Sequence, residues 1–106
     1  MKITQLLTEN TIILDLAATS KQDVLAELIG QFNHAGNLND QAQFTKDILA
    51  REAQSTTGIG DGIAIPHAKS AAVKMPGIAF GRSAAGIDYE SLDGQPAHLF
   101  FYDCSK

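Results

Sequence analysis

Arg51-Glu52-Ala53-Gln54-Ser55-Thr56-Thr57-Gly58-Ile59-Gly60-Asp61-Gly62-Ile63-Ala64-Ile65-Pro66-His67-Ala68-Lys69 leaves the polar end of a helical pattern, crosses a glycine-rich run and enters a short apolar alternation stopped by a proline. Proline biases the residue before it toward extended conformations, so Ile63-Ala64-Ile65 reads as a strand. The run Gly58-Ile59-Gly60-Asp61-Gly62 reads as a loop or tight turn. Helix, loop and strand in succession predict an α/β chain.

The flanks follow the same alternation. Upstream, Ile12-Ile13-Leu14-Asp15-Leu16 is a β-branched run between polar residues and predicts a strand. Ser20 is placed as an N-cap, with Asp23 at the capping-box position. Val24, Leu25, Leu28, Ile29 and Phe32 follow at helical spacing, and Gly36 stands where a left-handed C-cap belongs, so residues 20–35 read as an amphipathic helix. Asn39 and Asp40 offer the next N-cap. A second helix carries Ala42, Phe44, Ile48 and Leu49 and is expected to end near Glu52. Downstream, Ala71-Ala72-Val73 predicts a single helical turn, and Gly77-Ile78-Ala79-Phe80-Gly81-Arg82 a strand. Asp93-Gly94 is a turn signal, and Ala97-His98-Leu99-Phe100-Phe101-Tyr102 reads as a buried strand. The expected architecture is a mixed β-sheet flanked by helices.

The chain has 106 residues, enough for one domain with a real core and too few for two. A net charge of −4 without a Lys/Arg cluster argues against a nucleic-acid binder. Cys104 is the single cysteine, so no internal disulfide can form and a reducing compartment is the natural reading. No apolar run approaches the ~20 residues a membrane span needs. The start, Met1 to Asn10, is too broken for a signal peptide. The expectation is a cytoplasmic domain whose membrane role, if any, comes through a partner.

The chemistry concentrates between Arg51 and Lys69. Glycines let backbone N–H groups approach an anion, Thr56 and Thr57 add hydroxyl donors, and Arg51 can fork onto a phosphate. His67 adds a nucleophilic imidazole behind the stiff Pro66. Each feature also has a plain reading. The glycines fit neither a Walker A loop nor a dinucleotide fingerprint, and serve as a turn. A histidine after a proline is often a surface residue, and Arg51 suits a helix C-terminus. Ile59, Ile63 and Ile65 flank the site and are assigned to core packing. His98 is read as a strand residue with a satisfied hydrogen bond, and His34 as helix-terminal surface. A metal site from His67, His98 and Asp61 has no supporting ligand spacing.

Taken whole, Arg51 to Lys69 resembles the phosphorylation-site motif of enzyme IIA domains of the bacterial sugar phosphotransferase system (PTS), in the fructose/mannitol and nitrogen-regulatory class. Ile12 to Leu16, Ala79-Phe80-Gly81-Arg82-Ser83 and Gly86 through Phe101 are similar to the fructose type, so the resemblance covers residues 1 to 101. It implies the mixed-sheet fold of that family. It implies that His67 is the phosphoacceptor, that Arg51 steadies the phosphoryl charge, and that the loop holding Thr56, Thr57, Gly58, Gly60 and Gly62 packs around the site. It implies HPr as donor and a IIB domain as acceptor in sugar uptake, with no metal or cofactor beyond the phosphoryl group that comes from phosphoenolpyruvate through enzyme I and HPr. A nitrogen-regulatory role, in which phosphorylation selects a binding partner, is the alternative within the family.

The resemblance stops at Tyr102-Asp103-Cys104-Ser105-Lys106, and the family's second active-site histidine has no counterpart. Residues 1–106 are therefore expected to form a single type-2 IIA domain, incomplete at the C-terminus, with an inactive truncated domain as a further alternative. Leu99, Phe100 and Phe101 are then expected to be exposed, or covered by self-association through the strand Leu99–Tyr102. Cys104 sits in no phosphocysteine motif.

Overall fold

A computed structural model describes residues 2–106. Helix α1 (Ile3–Leu6) and a 3-10 turn (Glu9–Thr11) lead into β1 (Ile12–Ile13), followed by α2 (Lys21–His34) and α3 (Gln41–Gln54). Then come β2 (Gly58–Gly60), β3 (Ile63–Ala64), β4 (His67–Lys69), β5 (Gly77–Ile87) and β6 (Ala97–Ser105). The strands form one mixed sheet in the order β1-β5-β6-β3-β2, with β4 also paired to β6. β5 and β6 are antiparallel, whereas β1 runs parallel to β5, and β3 and β4 run parallel to β6. Strand β6 thus organises the sheet.

The two long helices begin where their caps place them. Ser20 accepts from the Asp23 N–H at 3.2 Å, and Asp40 accepts from the Gln43 N–H at 3.1 Å. Helix α2 closes at Gly36, whose φ of +86° suits a residue without Cβ. Val24, Leu25, Leu28, Ile29 and Phe32 of α2, with Phe44 and Ile48 of α3, face the sheet and are buried. There Phe32 meets Tyr102 edge-on at 5.4 Å and Phe44 at 6.3 Å. Tyr89 packs on Phe100 at 5.6 Å.

Several expectations change. The strand over Ile12–Leu16 shortens to two residues, and Leu14 is exposed. The turn at Ala71–Val73 is not helical; Val73 instead bridges to Leu38. Ala42 and Leu49 face outward from α3. The last strand, expected over Ala97–Tyr102, is longer: β6 continues through Asp103 and Cys104 to Ser105. Alternation along β6 also corrects the expected exposure of its apolar run. Phe100 and Tyr102 point into the core, Leu99 is half-buried, and Phe101 is 38% exposed beside Phe80 of β5 at 5.1 Å. One strand cannot turn three consecutive side chains to the same face. Among the described residues no helix is long and apolar enough to cross a membrane.

Candidate active site

His67 opens β4 directly after the buried Pro66. The step is held by the Asp103 N–H, which donates to the Pro66 carbonyl at 2.9 Å, and His67 pairs with Asp103 in the parallel register of β4 and β6. In the three-residue strand, Ala68 is buried and His67 and Lys69 are exposed, so the histidine and lysine share the open face. The His67 Nδ1 lies 2.8 Å from the Ile65 carbonyl oxygen. A carbonyl only accepts, so Nδ1 carries the proton and the lone pair of the neutral ring sits on Nε2.

A cleft of about 500 Å³ lies between the last two turns of α3 and β4. Arg51 and Gln54 line it from the helix and His67 and Lys69 from the strand, with Asp47 and Ser70 at its other end. Arg51 occupies the last helical turn, where a cation also offsets the helix dipole, and its Nη1 donates to the Ser55 carbonyl at 3.0 Å. The Asp47 carboxylate accepts from the Ser70 hydroxyl and, at 3.0 Å, from Gln43 Nε2, which occupies both its oxygens. The cleft therefore presents an imidazole, a guanidinium and an ammonium beside one internally bonded carboxylate, a setting that favours an incoming anion.

The glycine loop lies elsewhere. None of Thr56, Thr57, Gly58, Gly60 and Gly62 is among the residues lining the cleft. The glycines build the β2–β3 hairpin, turned at Asp61 and Gly62 with φ of 56° and 78°. Gly58 is closely packed: a Cβ there would come within 2.4 Å of the Ser91 hydroxyl oxygen and 2.9 Å of the Tyr89 ring. Two of the N–H groups that an anion cradle would use are engaged internally. Gly58 N–H donates to Thr56 Oγ1 at 3.1 Å, and Asp61 N–H to Asp93 Oδ2 at 3.0 Å. The Gln95 N–H, which donates to Asp93 Oδ1 at 3.0 Å, and next the Asp61 N–H hold the Asp93 carboxyl below the usual range.

Thr57 is buried for a different reason. Its hydroxyl donates to Glu52 Oε1, and its N–H reaches Glu52 Oε2 at 3.4 Å. The Tyr89 hydroxyl lies 3.0 Å from Thr57 Oγ1 and donates to Glu52 Oε1 at 3.1 Å. Lys21 completes the cluster, 2.9 Å from Glu52 Oε2 and 4.7 Å above the Tyr89 ring. Burial works to raise the Glu52 carboxyl, but the bonds from Thr57 and Lys21, the lysine charge and the Tyr89 hydroxyl outweigh it and hold the group low. Burial, with the Glu52 charge nearby, drives the Tyr89 phenol upward.

Ile59 and Ile65 are 53% and 37% exposed and Ile63 is half-buried, so Ile59 and Ile65 are apolar surface, not core. His98 is bonded through Nδ1 to the Ser83 carbonyl at 3.0 Å and does not line the cleft. His34 is exposed in the last turn of α2. Burial pushes the Cys104 thiol up to about 12, which leaves it protonated and non-nucleophilic near neutrality. Among the described residues no group of His, Cys, Asp or Glu is gathered that could hold a metal ion. The sequence alone assigns no site role to Lys69, Asp47 or Ser70. Lys69 stands two residues after His67, the spacing that shares a strand face, whereas Asp47 and Ser70 come together only through the fold.

Comparison with known proteins assigns the family. The profile described as "Phosphoenolpyruvate-dependent sugar phosphotransferase system, EIIA 2" matches residues 5–106. The chain is 58% identical over 101 residues to the PTS system fructose-specific EIIABC component of Bacillus subtilis (strain 168), covering 95% of this chain and 16% of that protein. It is 41% identical over 90 residues to the fructose-specific EIIA component of Haloferax volcanii, covering 85% of this chain and 58% of that one. Both relatives therefore extend well beyond the matched region. Among solved structures, the nitrogen regulatory protein IIA-Ntr from Neisseria meningitidis superposes with a TM-score of 0.88 at 31% identity, over 97% of this chain and 70% of that one. The mannitol IIA of Escherichia coli, at 22% identity and a TM-score of 0.81, shares the fold. The exposed histidine after Pro66, the arginine of α3 and the mixed sheet beneath them thus belong to a chain of the EIIA 2 family of the phosphoenolpyruvate-dependent sugar phosphotransferase system.

Proposed function

We propose that this protein is a phosphocarrier that accepts a phosphoryl group on His67 from phosphorylated HPr and passes it to a IIB domain during sugar uptake, with fructose as the sugar. The observation that carries the reading is the 2.8 Å contact from His67 Nδ1 to the Ile65 carbonyl, which leaves Nε2 as the nucleophile on an exposed strand beside Arg51. The fructose assignment rests on the 58% identity to a fructose-specific protein.

In the transfer, the Nε2 lone pair attacks phosphorus, the donor's P–N bond breaks, and its electron pair returns to the donor imidazole. The His67 ring gains positive charge as the new N–P bond forms, and the Ile65 carbonyl dipole stabilises it through the retained Nδ1 proton. Arg51, with Lys69 beside His67, offsets the charge on the phosphoryl oxygens of a loose, in-line transition state. Catalysis is positioning and electrostatics, and the energy of the phosphoramidate is conserved for the next transfer.

A regulatory role is the second reading, favoured by 38% identity to a nitrogen regulatory protein of Bradyrhizobium diazoefficiens over 95% of this chain. The two part at the onward step. Incubation with phosphoenolpyruvate, enzyme I, HPr and a fructose-type IIB domain is expected to move label through this protein to IIB. Label that stops on this protein would favour the regulatory reading. Absence of label on a folded protein would contradict both.

A further inference from the structure

We propose that Glu52 is a positioning residue for the His67 imidazole and the Arg51 guanidinium, acting through a chain of hydrogen bonds that joins the Lys21–Glu52 ion pair to the His67 ring. The inference rests on His67 being the nucleophile.

Four contacts form the chain. Lys21 Nζ lies 2.9 Å from Glu52 Oε2. Glu52 takes both the hydroxyl and the N–H of Thr57. The Thr57 carbonyl accepts from the Ile65 N–H at 2.9 Å. The carbonyl of the same Ile65 holds the His67 Nδ1 proton at 2.8 Å. At Thr57 and at Ile65 one bond fixes the peptide unit on the N-terminal side and the next is made from the adjoining unit, with Pro66 stiffening the step after Ile65, so the buried carboxylate at the end of α3 helps set where the Ile65 carbonyl points. That direction selects the His67 tautomer and hence which nitrogen is nucleophilic.

Glu52 also acts on the other side of the cleft. Arg51 bonds the Ser55 carbonyl, and Glu52 bonds Thr57 two residues on. Together they clamp the turn that follows α3 and hold the guanidinium over the end of the helix. The Glu52 side chain is 7% exposed, so it cannot reach the cleft as a ligand. Its influence must pass through Thr57. Tyr89 closes the cluster, since its hydroxyl touches both Glu52 Oε1 and Thr57 Oγ1. An anchor that only stabilised the fold would not need a bonded path ending on the imidazole, and that difference is measurable.

The experiment compares the wild type with Glu52→Gln and Tyr89→Phe. Nitrogen-15 NMR reads the His67 tautomer at a pH where the ring is neutral, and stopped-flow transfer from phosphorylated HPr reads kcat and KM. The wild type is expected to show the Nδ1–H tautomer alone. Glu52→Gln is expected to show a mixture and a kcat lower by about tenfold to a hundredfold, the loss that misplacing a reacting group brings. KM is expected to stay within about twofold, because the exposed docking surface is untouched. Tyr89→Phe, which keeps the ion pair, is expected to shift both readouts in the same direction by less. A folded Glu52→Gln protein with the wild-type tautomer and kcat would overturn the proposal. If that variant does not fold, unchanged tautomer and kcat in Tyr89→Phe would overturn it instead. If the wild type takes no label from HPr, the phosphocarrier reading fails, and the tautomer shift alone still decides whether Glu52 positions the ring.

Discussion

The Nδ1 of His67 and the carbonyl oxygen of Ile65 stand 2.8 Å apart, two residues from one another across Pro66. The buried proline stiffens the link, so the ring and its acceptor are set by one short segment. Phosphorylation is therefore expected on Nε2. Phosphorus-31 and nitrogen-15 NMR of the phosphorylated protein checks this through the N–P coupling. Coupling to Nδ1 would show that the Ile65 bond breaks before transfer.

Arg51 is the cation whose loss should affect transfer without moving its site. Arg51→Ala is expected to lower kcat for transfer on the order of a hundredfold, the lower end of what removing one charge-stabilising donor costs. Label should remain on His67. Arg51→Lys keeps the charge but not the fork, and should fall between the two. Quench-flow with phosphorylated HPr gives the rates, and peptide mapping gives the site.

Much of this arrangement is legible in the sequence, and the failures have physical causes. Helix α2 follows from Ser20, its apolar spacing and Gly36, because caps and periodicity are local signals. The placement of Thr57 is not local. Its partners are Glu52, five residues back, and Tyr89, thirty-two residues ahead. Residues 58–60 look like loop because glycine is depleted in strands, yet Gly58 must be small to pass Ser91 and Tyr89. Strand β4 is too short to show a period, and its partner, Asp103 to Ser105, carries little strand signal of its own. Arg51 and His67 could be paired from the motif. The cleft that joins them depends on how α3 meets the edge of β4.

The Thr57 hydrogen bond and the Lys21 ion pair at Glu52 make stability pH-dependent with a definite sign. The Glu52 carboxyl titrates below its ordinary 4.5 in the folded protein. Its contribution is complete above that value, where both states are ionised, and is lost as pH falls through the lower folded value, because the unfolded chain binds the proton first. Urea midpoints between pH 7 and pH 3 are expected to show a gap between wild type and Glu52→Gln that narrows below about pH 4.5. A gap that stays constant across the range would contradict this.

Phe100 and Phe101 are adjacent on β6 and face opposite ways. Phe100→Ala removes a fully buried ring packed on Tyr89 and is expected to cost about 3–5 kcal/mol. Phe101→Ala removes a ring that is 38% exposed and leans on Phe80, and is expected to cost clearly less. Chemical denaturation of both variants reads the difference. Equal costs would mean that the open face of the sheet is covered in solution.

The most direct test is the intact mass of the wild type and of His67→Ala after incubation with phosphoenolpyruvate, enzyme I and HPr. His67 is exposed, so the variant is expected to keep the wild-type circular dichroism spectrum. The account predicts an acid-labile gain of one phosphoryl group on the wild type and none on His67→Ala. A phosphoryl group on the variant, or none on a folded wild type, would contradict it.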